Sequence, residues 1–199
     1  MKIALFGTSA DPPTAGHQKI LTWLSERYDQ VAVWAAENPF KDHQASIKHR
    51  VAMLQLLITD ASVSKKNIIL AQDLSYLRTI KTLQQASERW GEETEFTLVV
   101  GSDLLKQLKQ WYRIADLLKQ VKLLVVPRPG YVIDHDGIQS VKELGGKIAI
   151  ASLTGLETSS TAYRQNRDEE LLVRPVAAYI QQEHLYECRD KKTTNLQPQ

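Results

Sequence analysis

Between Gly7 and His17 the sequence GTSADPPTAGH collects hydroxyls, a carboxylate, paired prolines, glycines and an imidazole in one short stretch. Those groups suit phosphate chemistry. Backbone N–H groups at a helix start, with the positive end of the helix dipole, bind anions, and an imidazole there adds a hydrogen bond or a charge. Thr14 can donate one hydrogen bond to a phosphate oxygen, and His17 can donate one or bring a positive charge. Gly7 is expected to turn the chain and admit a ligand to its backbone, with Thr8 and Ser9 beside it. Pro12 and Pro13 are expected to hold the loop open, and Gly16 to leave the helix entrance clear. A turn whose histidine merely caps a helix would use similar residues, but it leaves the double proline unexplained.

Further stretches have related chemistry. Gly101-Ser102-Asp103 follows an apolar run, so Gly101 permits close backbone approach, and Asp103 can either cap a helix or accept from a ribose hydroxyl. Ser159, Ser160 and Thr161 precede Arg164 by one turn, a hydroxyl-rich cap with a guanidinium suited to the outer phosphates of a nucleoside triphosphate. Lys41 sits in Glu37-Asn38-Pro39-Phe40-Lys41-Asp42-His43, where it offers a point charge to phosphate or a solvated partner to Asp42. His43 can enter a site through that loop, whereas His49, His135 and His184 lack motif context and are expected at the surface.

The elements that must position these residues alternate. Short runs rich in branched residues at Lys2 to Phe6, Val31 to Ala35, Ile68 to Leu70, Phe96 to Val100, Lys122 to Val126 and Lys147 to Ala151 read as strands. Between them, Gly16 to Arg27, a segment from Ile47 to near Thr59, Thr79 to Trp90 and a segment opening at Leu104 and Leu105 read as helices with one apolar stripe. The alternation predicts right-handed βαβ crossovers, hence an α/β, Rossmann-like, doubly wound parallel sheet. Ligands of such sheets bind beyond the strand carboxyl ends, where the topology switches. The loops at Gly7, Asn38 to His43 and Gly101 are expected to converge there.

The Gly7 to His17 stretch resembles the G-x-S-x-D-P-P-[HT]-x-G-H signature of the nucleotidyltransferase superfamily, with threonine at position 14. Gly101, Asp103, Leu108 and Trp111 are similar to the G-x-D-x-x-x-x-L-x-x-W run of its nicotinate-nucleotide adenylyltransferase branch, and Asn38-Pro39 with Lys41 and Arg50-x-x-Met53-Leu54 resemble two further stretches of that branch. Ser159-Ser160-Thr161 and Arg164 match I-S-S-T-x-x-R, with Thr158 where isoleucine is usual. The block around Ser75 to Leu83 matches S-Y-T-x-D-T-L without a gap only at Thr79, Thr82 and Leu83. The resemblance implies transfer of the adenylyl group of ATP to nicotinate mononucleotide with release of pyrophosphate, a step of NAD biosynthesis. It implies that His17 and Arg164 carry the catalysis and that Gly7, Thr8, Ser9, Thr14, Gly16, Gly101, Asp103, Ser159, Ser160 and Thr161 hold ATP. Lys41, Arg50, Thr79 and Trp111 then face the acceptor, the indole as a stacking surface, with loop groups as the other destination open to Arg50. No histidine, cysteine and carboxylate spacing suggests a protein-held metal, so Mg²⁺ is expected to arrive with ATP. Two other readings remain beside this one: an adenylyltransferase of the phosphopantetheine type, whose motif also carries threonine, and a nucleotide-binding sensor without turnover.

Composition bounds the rest. With 25 Lys plus Arg against 23 Asp plus Glu, the net charge of +2 provides no broad basic footprint for nucleic acid. No apolar run reaches membrane-spanning length, and Cys188 is the only cysteine, which excludes an internal disulfide and fits a reducing, cytoplasmic setting. We expect one domain over residues 1–187 and a polar, disordered tail from Cys188 to Gln199.

Overall fold

Along the first strand, Ile3 and Leu5 point to one side and Ala4 and Phe6 to the other, and all four are buried. A strand with both faces apolar must lie inside a sheet covered on both sides. The computed structural model describes residues 1–37, 43–60, 66–130, 132–153 and 159–187. Among them, β1 (Lys2–Thr8), β2 (Gln30–Ala35), β3 (Ile68–Leu70), β4 (Glu95–Gly101), β5 (Lys122–Val126) and β6 (Lys147–Ile150) form one sheet in the order β3-β2-β1-β4-β5-β6. Every pairing is parallel, with Leu5 opposite Ala32 on one side and Leu98 on the other.

The helices divide between the two faces. α1 (Ala15–Ser25), α2 (Ile47–Thr59), α6 (Ser160–Asn166) and α7 (Arg174–Gln182) pack Leu21, Leu24, Met53, Leu54, Leu57, Tyr163, Val176 and Ile180 against Ala4, Val31, Val33 and Val99. α3 (Thr79–Trp90), α4 (Ile114–Gln120) and α5 (His135–Glu143) pack Ile80, Leu83, Leu117, Leu118 and Val141 against Ile3, Leu5, Leu98, Leu123 and Val125. The direction of winding reverses between β1 and β4, so their carboxyl ends flank the switch point.

Several expectations need correction. β1 continues through Gly7 and Thr8, which pair with Trp34 and Ala35, so Gly7 extends the strand instead of turning it. The segment after β4 is a 3-10 run, Ser102–Gln110, rather than an α-helix. Its sequence explains this: Ser102, Leu105, Leu108 and Trp111 recur every third residue, and a helix of three residues per turn aligns them on one inward face. α4, α5 and α7 went unanticipated, and Thr79–Trp90 forms the expected helix. The expected tail, Cys188 to Gln199, lies outside the described residues. No helix among the described residues is long and apolar enough to cross a membrane.

Candidate active site

The loop leaving β1 is packed down rather than held open: Ala10, Asp11, Pro12, Pro13 and Thr14 are all buried. Ala10 takes a left-handed backbone with φ of 47°, and the Asp11-Pro12 peptide is cis. α1 then opens with Thr14 as its N-cap, and its first turn brings Gly16, half-buried, and His17, which is 8% exposed.

The His17 ring is fixed by both nitrogens. The main-chain N–H of Thr14 donates to Nδ1 at 3.1 Å, and the Thr14 hydroxyl lies 3.0 Å from the same atom. A main-chain N–H can only donate, so this network assigns the acceptor role to Nδ1 and places the proton of a neutral ring on Nε2. Nε2 lies 2.9 Å from Thr8 Oγ1 at the carboxyl end of β1. Thr14, expected to donate to phosphate, is 0% exposed and sits behind His17, orienting it. Gly7 has a packing role as well: a Cβ there would lie 2.8 Å from the Trp34 indole.

Asp11 gathers the surrounding segments. Its carboxylate, in a residue 2% exposed, accepts from the N–H groups of Gln44 at 2.9 Å and Ala45 at 3.1 Å and from the Tyr186 hydroxyl at 2.7 Å. Burial first, and then the charge and hydrogen bond of Asp11, push the Tyr186 phenol far above the ordinary tyrosine range. From α2, the buried Arg50 donates to the carbonyls of Ser9 at 2.9 Å and Ala36 at 2.8 Å and pairs with Glu37 at 3.2 Å. Arg50 was expected to reach the acceptor or loop groups, and its contacts here tie the β1 loop to the end of β2. Lys41 lies outside the described residues.

α6 meets this loop directly. Ser159 caps the helix by accepting from the Ala162 N–H at 3.0 Å. The Ser160 hydroxyl donates to Pro12 O at 2.8 Å, across 148 residues of sequence. Arg164 Nη1 donates to Asp11 O at 2.6 Å and lies 3.9 Å from the Asp11 carboxylate, while Nη2 reaches Thr161 Oγ1 at 3.3 Å. The two motifs farthest apart in sequence are therefore joined through Pro12 and Asp11. Arg164, expected to face phosphate, also holds the loop, and its side chain remains 22% exposed.

Across the switch point, Asp103 lies over Gly101 and pairs with Arg128 Nη1 at 2.7 Å. Ser102 Oγ accepts from the Arg128 N–H at 3.0 Å, so both polar residues after β4 fasten the loop after β5. Thr79 begins α3 and Trp111 ends the 3-10 run, both half-buried. Their neighbours meet, with the Arg78 guanidinium 4.2 Å from the Tyr112 ring centroid, which brings these two acceptor candidates to one side. His49, expected at the surface, is half-buried and bonds Tyr179 Oη at 2.9 Å.

Sequence reasoning missed the roles of Arg128, Asp11 and Tyr186. Arg128 stands in the Pro127-Arg128-Pro129-Gly130 stretch after a strand, a breaker cluster that carried a readable signal. Tyr186 carried none. Among the described residues, no group of three or more His, Cys, Asp or Glu is arranged to hold a metal ion.

A parallel sheet with its winding reversal between β1 and β4, a buried phosphate-type loop and a histidine-bearing helix at that point define a nucleotidyltransferase-type α/β protein. The sequence profile of the Cytidylyltransferase-like family matches residues 5–166. A relative from Synechocystis sp. described as a probable nicotinate-nucleotide adenylyltransferase is 46% identical over 198 residues, covering 94% of this chain and 99% of its own. The nicotinate-nucleotide adenylyltransferase of Bacillus subtilis is 24% identical, with 94% and 98% covered. The structure of Plasmodium falciparum nicotinic acid mononucleotide adenylyltransferase complexed with NaAD superposes with a TM-score of 0.78 at 21% identity, covering 93% of this chain and 97% of that one. The chain belongs to the nicotinate-nucleotide adenylyltransferase branch of the Cytidylyltransferase-like family.

Proposed function

We propose that this chain is a nucleotidyltransferase that joins the adenylyl group of ATP to nicotinate mononucleotide, forming nicotinate adenine dinucleotide and pyrophosphate in NAD biosynthesis. The observation that carries the reading is the junction of the two phosphate-type motifs, Ser160 on Pro12 and Arg164 on Asp11, beside His17. The naming of the relatives supports the same acceptor.

An oxygen of the acceptor phosphate attacks the α-phosphorus of ATP in line, the new P–O bond forms, and the bond to the bridging oxygen of pyrophosphate breaks. No side chain needs to act as nucleophile. The protein holds two anions together and stabilises charge on the leaving oxygen. His17 offers its Nε2 proton from the position that Thr14 fixes, and Arg164 offers its exposed edge to the outer phosphates. Mg²⁺ belongs to the substrate, entering with the triphosphate.

The test is pyrophosphate release from Mg–ATP with a panel of acceptors. Nicotinate mononucleotide is expected to turn over faster than phosphopantetheine. Equal or faster turnover of phosphopantetheine overturns the acceptor assignment, and ATP binding without release from any acceptor points to a sensor.

A further inference from the structure

The chain's last described turn ends in the middle of the site. After α7, the segment Glu183 to Tyr186 folds back, with His184 and Tyr186 both in left-handed backbone at φ of 50° and 65°. For a tyrosine that conformation is costly, and it persists where surrounding contacts fix it. Those contacts are specific. The Tyr186 ring stands edge-on to Tyr163 of α6 with centroids 5.7 Å apart, and the Arg167 guanidinium lies 5.7 Å from the Tyr186 centroid. Its hydroxyl donates to Asp11 Oδ1 at 2.7 Å, although the residue is only 8% exposed.

Asp11 is the point on which Arg164 is placed, through its carbonyl at 2.6 Å and its carboxylate at 3.9 Å. Among the described residues, its Oδ1 accepts from the Ala45 N–H and the Tyr186 O–H, so removing the phenol leaves that oxygen held from one side. We propose that Tyr186 is a positioning residue of the triphosphate site, its hydroxyl fixing Asp11 and, through Asp11, the Arg164 guanidinium. The inference rests on the proposed triphosphate site and extends it to a residue that no motif contains. Tyr186 itself touches no reacting atom.

Tyr186→Phe keeps the ring between Tyr163 and Arg167 and deletes only the hydroxyl, so the packing of the turn is retained. The experiment is calorimetric titration of Mg–ATP into the full chain and into Tyr186→Phe, Arg164→Ala and the double variant, each shown to be folded by thermal unfolding. Tyr186→Phe is expected to weaken ATP binding about five-fold, the factor associated with one ordinary hydrogen bond. Arg164→Ala is expected to weaken it more, and the double variant no further than Arg164→Ala alone, because Tyr186 acts through Arg164. Tyr163→Phe removes a neighbouring hydroxyl with no bond to Asp11 and is expected to keep wild-type affinity. Unchanged binding in Tyr186→Phe overturns the proposal, as does the same loss in both the wild-type and Arg164→Ala backgrounds. The titration needs no acceptor. A wild-type chain that binds ATP yet transfers nothing to nicotinate mononucleotide overturns the assigned reaction, while the Tyr186 proposal is judged on the cycle alone.

Discussion

At His17 the direction of one proton decides what the side chain can do. The Thr14 N–H occupies Nδ1, so the donor edge of the ring is Nε2, facing Thr8 at the end of β1. His17→Ala removes that donor and is expected to lower turnover by at least about two orders of magnitude, the loss typical of an oxyanion-type donor. Steady-state kinetics on the folded variant check this, and near-normal turnover would place the phosphate site elsewhere. Thr14 acts one step back. Thr14→Val keeps the shape and removes the hydroxyl at 3.0 Å, so we expect turnover to fall about five-fold and Thr14→Ser to restore most of it. The residue types at both positions were legible in the sequence, but their partners were not. Thr14 and His17 are three apart on a helix start, and whether a hydroxyl there meets the ligand or the imidazole depends on a loop packing that no periodicity reveals.

At the scale of elements, the close approach of β1 and β2 sets the loop that holds Asp11. Gly7 lies opposite Trp34, and an added Cβ at 2.8 Å from the indole meets a ring that is 5% exposed and held in the core. Gly7→Ala is therefore expected to destabilise the fold by roughly 1–3 kcal/mol, the range for overpacking a filled core. Thermal unfolding checks this as a fall in Tm of about 2–4 °C per kcal/mol for a chain of this size. An unchanged Tm would mean that Trp34 moves aside freely. The strands were legible because each carries a short apolar run, and in β1, β2, β4 and β5 both sides of that run are buried, as Val31 to Ala35 illustrates. α5 and α7 were harder to see, since α5 combines polar residues with a glycine and α7 begins at an Arg-Pro pair. The 3-10 run after β4 misled for a physical reason. Leu105 and Leu108 are three apart, a spacing that also belongs to an α-helix, and only the inward placement of Ser102 and Trp111 separates the two periods. Asp103 was expected at a helix cap or a ribose, and Arg128 takes both it and Ser102 because β5 ends beside β4.

For the whole molecule, the contact between Asp11 and Tyr186 closes the chain across 175 residues and makes stability depend on the protonation of one phenol. The Tyr186 pKa is raised by burial first and by the neighbouring carboxylate second. An unfolded tyrosine releases its proton near pH 10, whereas this one retains it in the folded chain. Above that pH the folded state binds more protons than the unfolded state, so the free energy of unfolding falls as pH rises. The contribution is complete below about pH 10 and is lost above it, at about 1.4 kcal/mol per pH unit for one such group. Tyr163 and Tyr179, also raised by burial, add to the same slope in the wild type and in any Tyr186 variant. The difference between the two chains therefore isolates position 186. Denaturant unfolding of the wild type and Tyr186→Phe, measured from pH 8 to pH 11, is expected to give parallel curves below about pH 10. Above it the wild type should lose stability more steeply, by about one proton's worth per pH unit. Curves that stay parallel throughout would mean that the phenol ionises as readily in the folded chain as in the unfolded one, which a hydroxyl buried against the Asp11 carboxylate does not allow.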